Sequence, residues 1–141
     1  MDPKQISKYF TWTEGLFLPS WSRLATEADG LTAINRTNLV IIFSKMDTIR
    51  EYFNSPIHVH VAYRPLAYNA LVGGAKNSAH IAGLAVDFDI AGVSCDDARQ
   101  RILDARLLDS LGLRMEKNPG SSWVHLDARE ILPGGNRYFQ P

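Results

Sequence analysis

The sequence predicts an α+β fold: a small, mainly antiparallel sheet with flanking helices. Three observations predict it. Apolar residues between 39 and 53 recur at spacings of three and four. Two short segments, 57–63 and 84–90, alternate apolar and polar. Two further strand-like runs near the C-terminus are joined by a stretch holding Pro119-Gly120, a hairpin-type link. The 141 residues fit one domain spanning 1–141, long enough to bury an apolar core without disulfide staples.

In chain order, Tyr9 to Leu24 mixes Phe10, Trp12, Phe17 and Trp21 with hydroxyl residues. Thr13 or Ser20 would cap a short helix there, and the aromatics are expected to cover the core. Leu39, Ile42, Phe43, Met46, Ile49 and Phe53 form one stripe of a helix over 38–53, with Thr37 or Asn38 as N-cap and Asn54-Ser55-Pro56 as its stop. In the strand that follows, Ile57, Val59, Val61 and Tyr63 share one side, while His58, His60 and Arg64 share the other; Pro65 ends the ladder. Residues 71–83, with Gly73-Gly74 and Asn77-Ser78, are loop-like. Strand 84–90 places Leu84, Val86, Phe88 and Ile90 on one face and Ala85, Asp87 and Asp89 on the other. Ser94 opens a helix running to about Leu111, with Asp97 completing a box-like cap and Gly112 as the left-handed stop. Strands 113–116 and 123–127 follow, then a wrapping tail to Pro141.

Composition narrows the function classes. Hydrophobic residues are 45% and charged residues 21% of the chain, the balance of an ordinary globular protein. Lysine plus arginine and aspartate plus glutamate both count 15, so there is no overall basic footprint for nucleic acid and no polybasic membrane patch. The one cysteine, Cys95, excludes an intrachain disulfide; it sits at a helix start without an evident catalytic partner and is read as structural. Residues 1–10 lack the apolar segment of a secretory signal, and no apolar run reaches the roughly 20 residues that span a bilayer.

The chemistry is concentrated in Ser78-Ala79-His80-Ile81-Ala82-Gly83-Leu84-Ala85-Val86-Asp87 and, further on, Trp123-Val124-His125-Leu126-Asp127. Imidazole and carboxylate are ordinary zinc ligands, and three of them plus a water make an open, catalytic type of site. Asp87 lies in an otherwise apolar strand, where an unpartnered carboxylate is costly; a metal or a salt bridge would satisfy it. The ligands are not on one helix, so the fold must bring them together. His58 and His60 form an alternating pair that can mimic a metal site, but two ligands are too few, and they are read as hydrogen-bonded or exposed.

These residues resemble the zinc D-Ala-D-Ala carboxypeptidase and L-alanyl-D-glutamate endopeptidase family. Its pattern is Ser-x-His-x-x-Gly-x-Ala-x-Asp followed by a Trp-x-His strand. Ala62-Tyr63-Arg64 and the run Asn69 to Ser78 resemble phage-encoded members, and the likeness covers about Phe10 to Asp127. The resemblance implies a hedgehog/D-Ala-D-Ala peptidase-like fold holding one Zn²⁺ ion through His80, Asp87 and His125. It implies that Arg64 binds a substrate carboxylate through its planar fork, and that Ser78 sits beside the ion and touches the substrate. It implies a peptidoglycan stem peptide as partner, with the protein reaching the bacterial cell wall by phage-mediated release or within a virion.

One position departs from the pattern. Several members carry an acid three residues before the last zinc-binding histidine, and here that residue is Ser122. Glu116 is the leading candidate for the general base, reaching the site from the preceding strand, opposite Val124 or diagonal to His125. Asp127 is its competitor, or else a partner that orients His125. Two rival readings stay open. One is a zinc-containing binding module that has lost its base. The other is a structural phage component, which would show a closed, four-ligand site.

Overall fold

The computed structural model describes residues 2–141. Its elements alternate along the chain, and the first is a short helix α1 (Trp12–Leu16). Thr11 caps it, accepting from the Glu14 amide while the Glu14 carboxylate accepts from the Thr11 N–H. That reciprocal box displaces Thr13 and Ser20 from the capping role the sequence suggests. Strands β1 (Phe17–Leu18) and β2 (Arg23–Leu24) flank a single 3₁₀ turn, Pro19–Trp21. Of the four aromatics here, Phe10 is fully buried and Trp12 and Trp21 lean on the core, but Phe17 is exposed.

Helix α2 (Ala33–Phe53) carries the expected stripe, with Leu39, Ile42, Phe43, Met46, Ile49 and Phe53 all buried. It begins one turn earlier than the stripe suggests. Thr32 and Asn35 form the capping box, and the added turn exposes Ile34, so it lacks the apolar periodicity that marks the rest. Asn54 ends the helix in the left-handed region.

Strand β3 (Ile57–Val61) stops before Tyr63. Its register against β4 (Ala85–Ile90) slips between Val59 and Val61, so both His60 and Val61 lean toward the Asp87 side. A short helix, α3 (Leu66–Leu71), fills the stretch after Pro65; the 71–83 segment, loop-like by sequence, holds another, α4 (Ala79–Ala82), which carries His80. Both are too short to show a helical period. The long helix expected after Ser94 is broken into α5 (Cys95–Asp104) and α6 (Leu107–Leu111), because Arg106 takes the left-handed conformation (φ 55°). Ser94 caps α5 through the Asp97 amide, and Gly112 closes α6 at φ 66°.

Strands β5 (Arg114–Glu116) and β6 (Val124–Asp127) are followed by β7 (Tyr138–Phe139), formed by the tail. The main sheet runs β3-β4-β6-β5-β7; every neighbour is antiparallel except β5 and β7. Val86, Phe88, Met115, Val124 and Leu126 point from one face into the core against α2 and α5. The opposite face of β4 and β6 carries Asp87, His125 and Asp127, and it is this face that the connecting segments frame. No helix is long and apolar enough to cross a membrane among the described residues.

Candidate metal centre and cleft

Asp87 occupies the middle of a three-strand ladder, with Val61 opposite it on β3 and His125 opposite it on β6. A residue and its cross-strand partner project on the same face. The antiparallel register therefore delivers a carboxylate and an imidazole to one spot from positions 38 apart in sequence. His125 Nδ1 lies 2.8 Å from Asp87 Oδ1.

His80 arrives on α4. Ser78 caps that turn, its hydroxyl accepting from the His80 amide at 3.2 Å. Gly83 ends it at φ 79°, where an added Cβ would stand 2.8 Å from the Asn35 carbonyl. Asn35 and Asn38 of α2 both donate to the Ala82 carbonyl, so the long helix braces the short one. His80 Nδ1 donates to the Ala62 carbonyl at 2.6 Å, which leaves Nε2 facing Asp87 Oδ1 at 3.1 Å.

The three side chains are buried, and one donor atom from each lies within 4.8 Å of the others. Each imidazole uses its second nitrogen elsewhere: His80 on the Ala62 carbonyl, His125 on Asp127, whose Oδ2 accepts from Nε2 at 2.8 Å. Asp127 is fully buried and takes two further bonds from Arg114, at 2.8 and 3.0 Å. Outer partners of this kind fix the tautomer and aim of a metal-binding histidine.

Charge completes the picture. Burial alone would raise the Asp87 carboxyl, but the His80 and His125 imidazoles outweigh it and hold the group below the usual carboxylate range. Burial alone would lower His125; the Asp127 and Asp87 carboxylates prevail and push it up to about 9. Asp127 is likewise held down by His125 and Arg114 against the pull of burial. Two buried carboxylates thus converge on His125 and favour a cation between them. A divalent ion taking that place would displace a proton, as ligand binding to metals generally does. The donor set, the burial and the occupied outer nitrogens all fit a metal.

A cleft opens over the three residues, lined also by Arg64, Gly74, Ser78, Glu116 and Trp123. Glu116 comes nearer than the sequence suggests. Arg114 pairs with Asp127 and Met115 with Leu126, so the same register continued by one residue sets Glu116 directly opposite His125. Ser122 is exposed and does not line this cleft. Asp127 is engaged by Arg114 and His125, the geometry of an orienting partner rather than of a free base.

Arg64 is largely buried and reaches Asp87 Oδ2 at 3.5 Å and Asn69 Oδ1 at 3.4 Å, both long, while its Nε has no partner among the described residues. Its donors are underused, as suits a group awaiting an anion. Asn69 also donates to the Ala75 carbonyl and accepts from Gly74 through its own carbonyl, tying Arg64 to the glycine loop.

Two positioning groups escape sequence reasoning. Buried Arg99 donates to the Trp123 carbonyl at 2.9 Å and to Asn118, while its neighbour Asp96 accepts from the Gly120 amide. This clamp holds the turn that presents Trp123 to the cleft. On the far side Phe139 of β7 meets the His125 ring edge-on at 5.9 Å and lies under Arg114. An arginine mid-helix and a phenylalanine in a tail carry no motif.

The family model described as Peptidase M15 matches residues 12–127, most of the chain. A comparison of this chain with curated proteins finds no match.

Proposed function

The chain belongs to the M15 peptidase family, and from that premise we propose that it is a zinc metallopeptidase hydrolysing an amide bond in peptidoglycan stem peptides. The observation that carries the reading is the convergence of His80, Asp87 and His125, buried and oriented from behind, beneath a cleft that also holds Glu116 and Arg64.

His80 would contribute Nε2, His125 Nδ1 and Asp87 a carboxylate oxygen, three protein ligands with room left for water and substrate. Zinc, when bound there, lowers the pKa of water toward about 7 and polarises a carbonyl. The remaining work falls to the chain. Glu116, which lines the cleft from the strand beside β6, would take the proton of the attacking water and pass it to the leaving amine. Arg64 binds a substrate carboxylate and so fixes which bond lies over the site. Asn69 and the Gly73-Gly74 loop hold Arg64 in place. Ser78 sets the His80 turn and stands at the cleft wall, within reach of a bound peptide. Trp123 supplies an aromatic wall to the cleft.

The departure at Ser122 favours a rival, a zinc-holding wall-binding module without catalysis. Glu116 in the cleft speaks for the enzyme, because it restores a carboxylate to the site by another route. A structural zinc site would need a fourth protein ligand, and the group of donors here has three members among the described residues. Incubating the zinc-loaded protein with purified muropeptides, with and without chelator, separates the readings by mass spectrometry. Chelator-sensitive amide cleavage is expected; binding to the wall with no cleaved product would establish the module instead.

A further inference from the structure

His58, His60 and Asp89 take no part in the chemistry above, yet they form a second cluster of metal-binding side chains. His58 stands opposite Asp89 across the β3–β4 ladder, and His60 is two residues along on the bulged side. His58 Nδ1 lies 3.1 Å and His60 Nε2 2.5 Å from the same oxygen, Asp89 Oδ2. The three donor atoms are mutually within 4.8 Å, with ring centroids 5.0 Å apart.

We propose that His58, His60 and Asp89 form a second, exchangeable site for a divalent transition-metal ion on the rim of the cleft. A tetrahedral ion with nitrogen and oxygen ligands at about 2.0–2.2 Å needs its donors roughly 3.3–3.6 Å apart, a spacing reached here by small rotations of side chains that solvent leaves free. Two imidazoles and one carboxylate select Zn²⁺, Ni²⁺ or Cu²⁺ over Mg²⁺ or Ca²⁺.

This ion would not be a partner in a two-metal reaction. Asp87 and Asp89 are two residues apart on one face of β4, about 6.6 Å, whereas such pairs sit about 3.5–4 Å apart and share ligands. The site is also the weaker of the two. It is partly exposed, and the second ring nitrogens of His58 and His60 have no hydrogen-bond partner among the described residues, while those of His80 and His125 do. Outer partners are worth about 10–100-fold in metal affinity, so the second ion should bind at least about tenfold more weakly. His60 shares a cavity wall with Arg64, Asp87 and Trp123, which sets the ion at the mouth through which a peptide would enter.

Tag-free protein equilibrated by dialysis against rising Zn²⁺, with bound metal counted by mass spectrometry, tests this. Two equivalents are expected in the wild type, one tight and one weak. His58→Ala and Asp89→Asn should each remove the weak equivalent and keep the tight one; His80→Ala should do the reverse. His58 is exposed, so its variant is expected to keep the wild-type melting temperature. A wild type that saturates at one equivalent would overturn the proposal, and so would a weak equivalent that survives in the His58→Ala/His60→Ala double variant. Either failure leaves the tight equivalent, and the reading of the buried site, untouched.

Discussion

Asp87 and Asp89 lie on the same face of the same strand, two residues apart, and each is met by two histidines. They nevertheless form centres of different character. The Asp87 cluster is buried, and both its imidazoles are held from behind by fixed acceptors. The Asp89 cluster faces solvent at the edge strand, with nothing behind its rings among the described residues. Ligand type alone does not distinguish a preorganised cluster from a surface one. Burial and outer hydrogen bonds do, because they fix geometry in advance and exclude competing water.

The comparison breaks most directly at the two aspartates. Asp87→Asn should abolish tight zinc binding and reduce peptidase turnover to background, whereas Asp89→Asn should leave both in place; metal counting and a muropeptide assay read the contrast. Next in size, Glu116→Gln should keep the tight zinc and lose about 10²–10⁴ in kcat, the usual worth of a general base. Unchanged turnover would move the base elsewhere. Arg64→Ala should raise KM by about 10–100-fold for a substrate bearing a carboxylate, the value of a charge-assisted bond, with Arg64→Lys restoring only part because it lacks the fork. An effect on melting temperature alone would reduce Arg64 to an ion-pair partner of Asp87.

Two smaller changes sharpen what burial contributes. Asp127→Asn should weaken zinc about 10–100-fold without removing a ligand, measured by competition with a chelating dye. Gly83→Ala should lower stability by about 1–3 kcal/mol, since alanine would be strained in the left-handed region and crowded against Asn35. Thermal melts should show that loss, with a matching loss of the tight site and little change at His58 and His60.

The α+β class, the α2 stripe and the β4 alternation were legible because each rests on a repeat several residues long. The short helices α3 and α4 were not, since four to six residues cannot display a period; nor was the break at Arg106, which no glycine announces. At the site, the motif named the residues that β4, β6 and α4 bring together, but only the register shows how the strands do so. Continued by one residue past the Met115–Leu126 pair, it sets Glu116 opposite His125, where sequence counting gives Val124 or a diagonal to His125. It also supplies Asp89 as the third member beside His58 and His60, a pair that sequence alone leaves one ligand short. The clamps of Arg99, Arg114 and Phe139 are tertiary contacts of ordinary residues and leave no trace in the chain.

The buried cluster, and not merely some histidine-rich surface, is proposed to hold the zinc. Anomalous diffraction at the zinc edge, from crystals of protein loaded with one equivalent, tests it most directly. One strong peak is expected about 2.0–2.2 Å from His80 Nε2, a carboxylate oxygen of Asp87 and His125 Nδ1, beneath Glu116. A peak at His58, His60 and Asp89 with the buried cluster empty would contradict it.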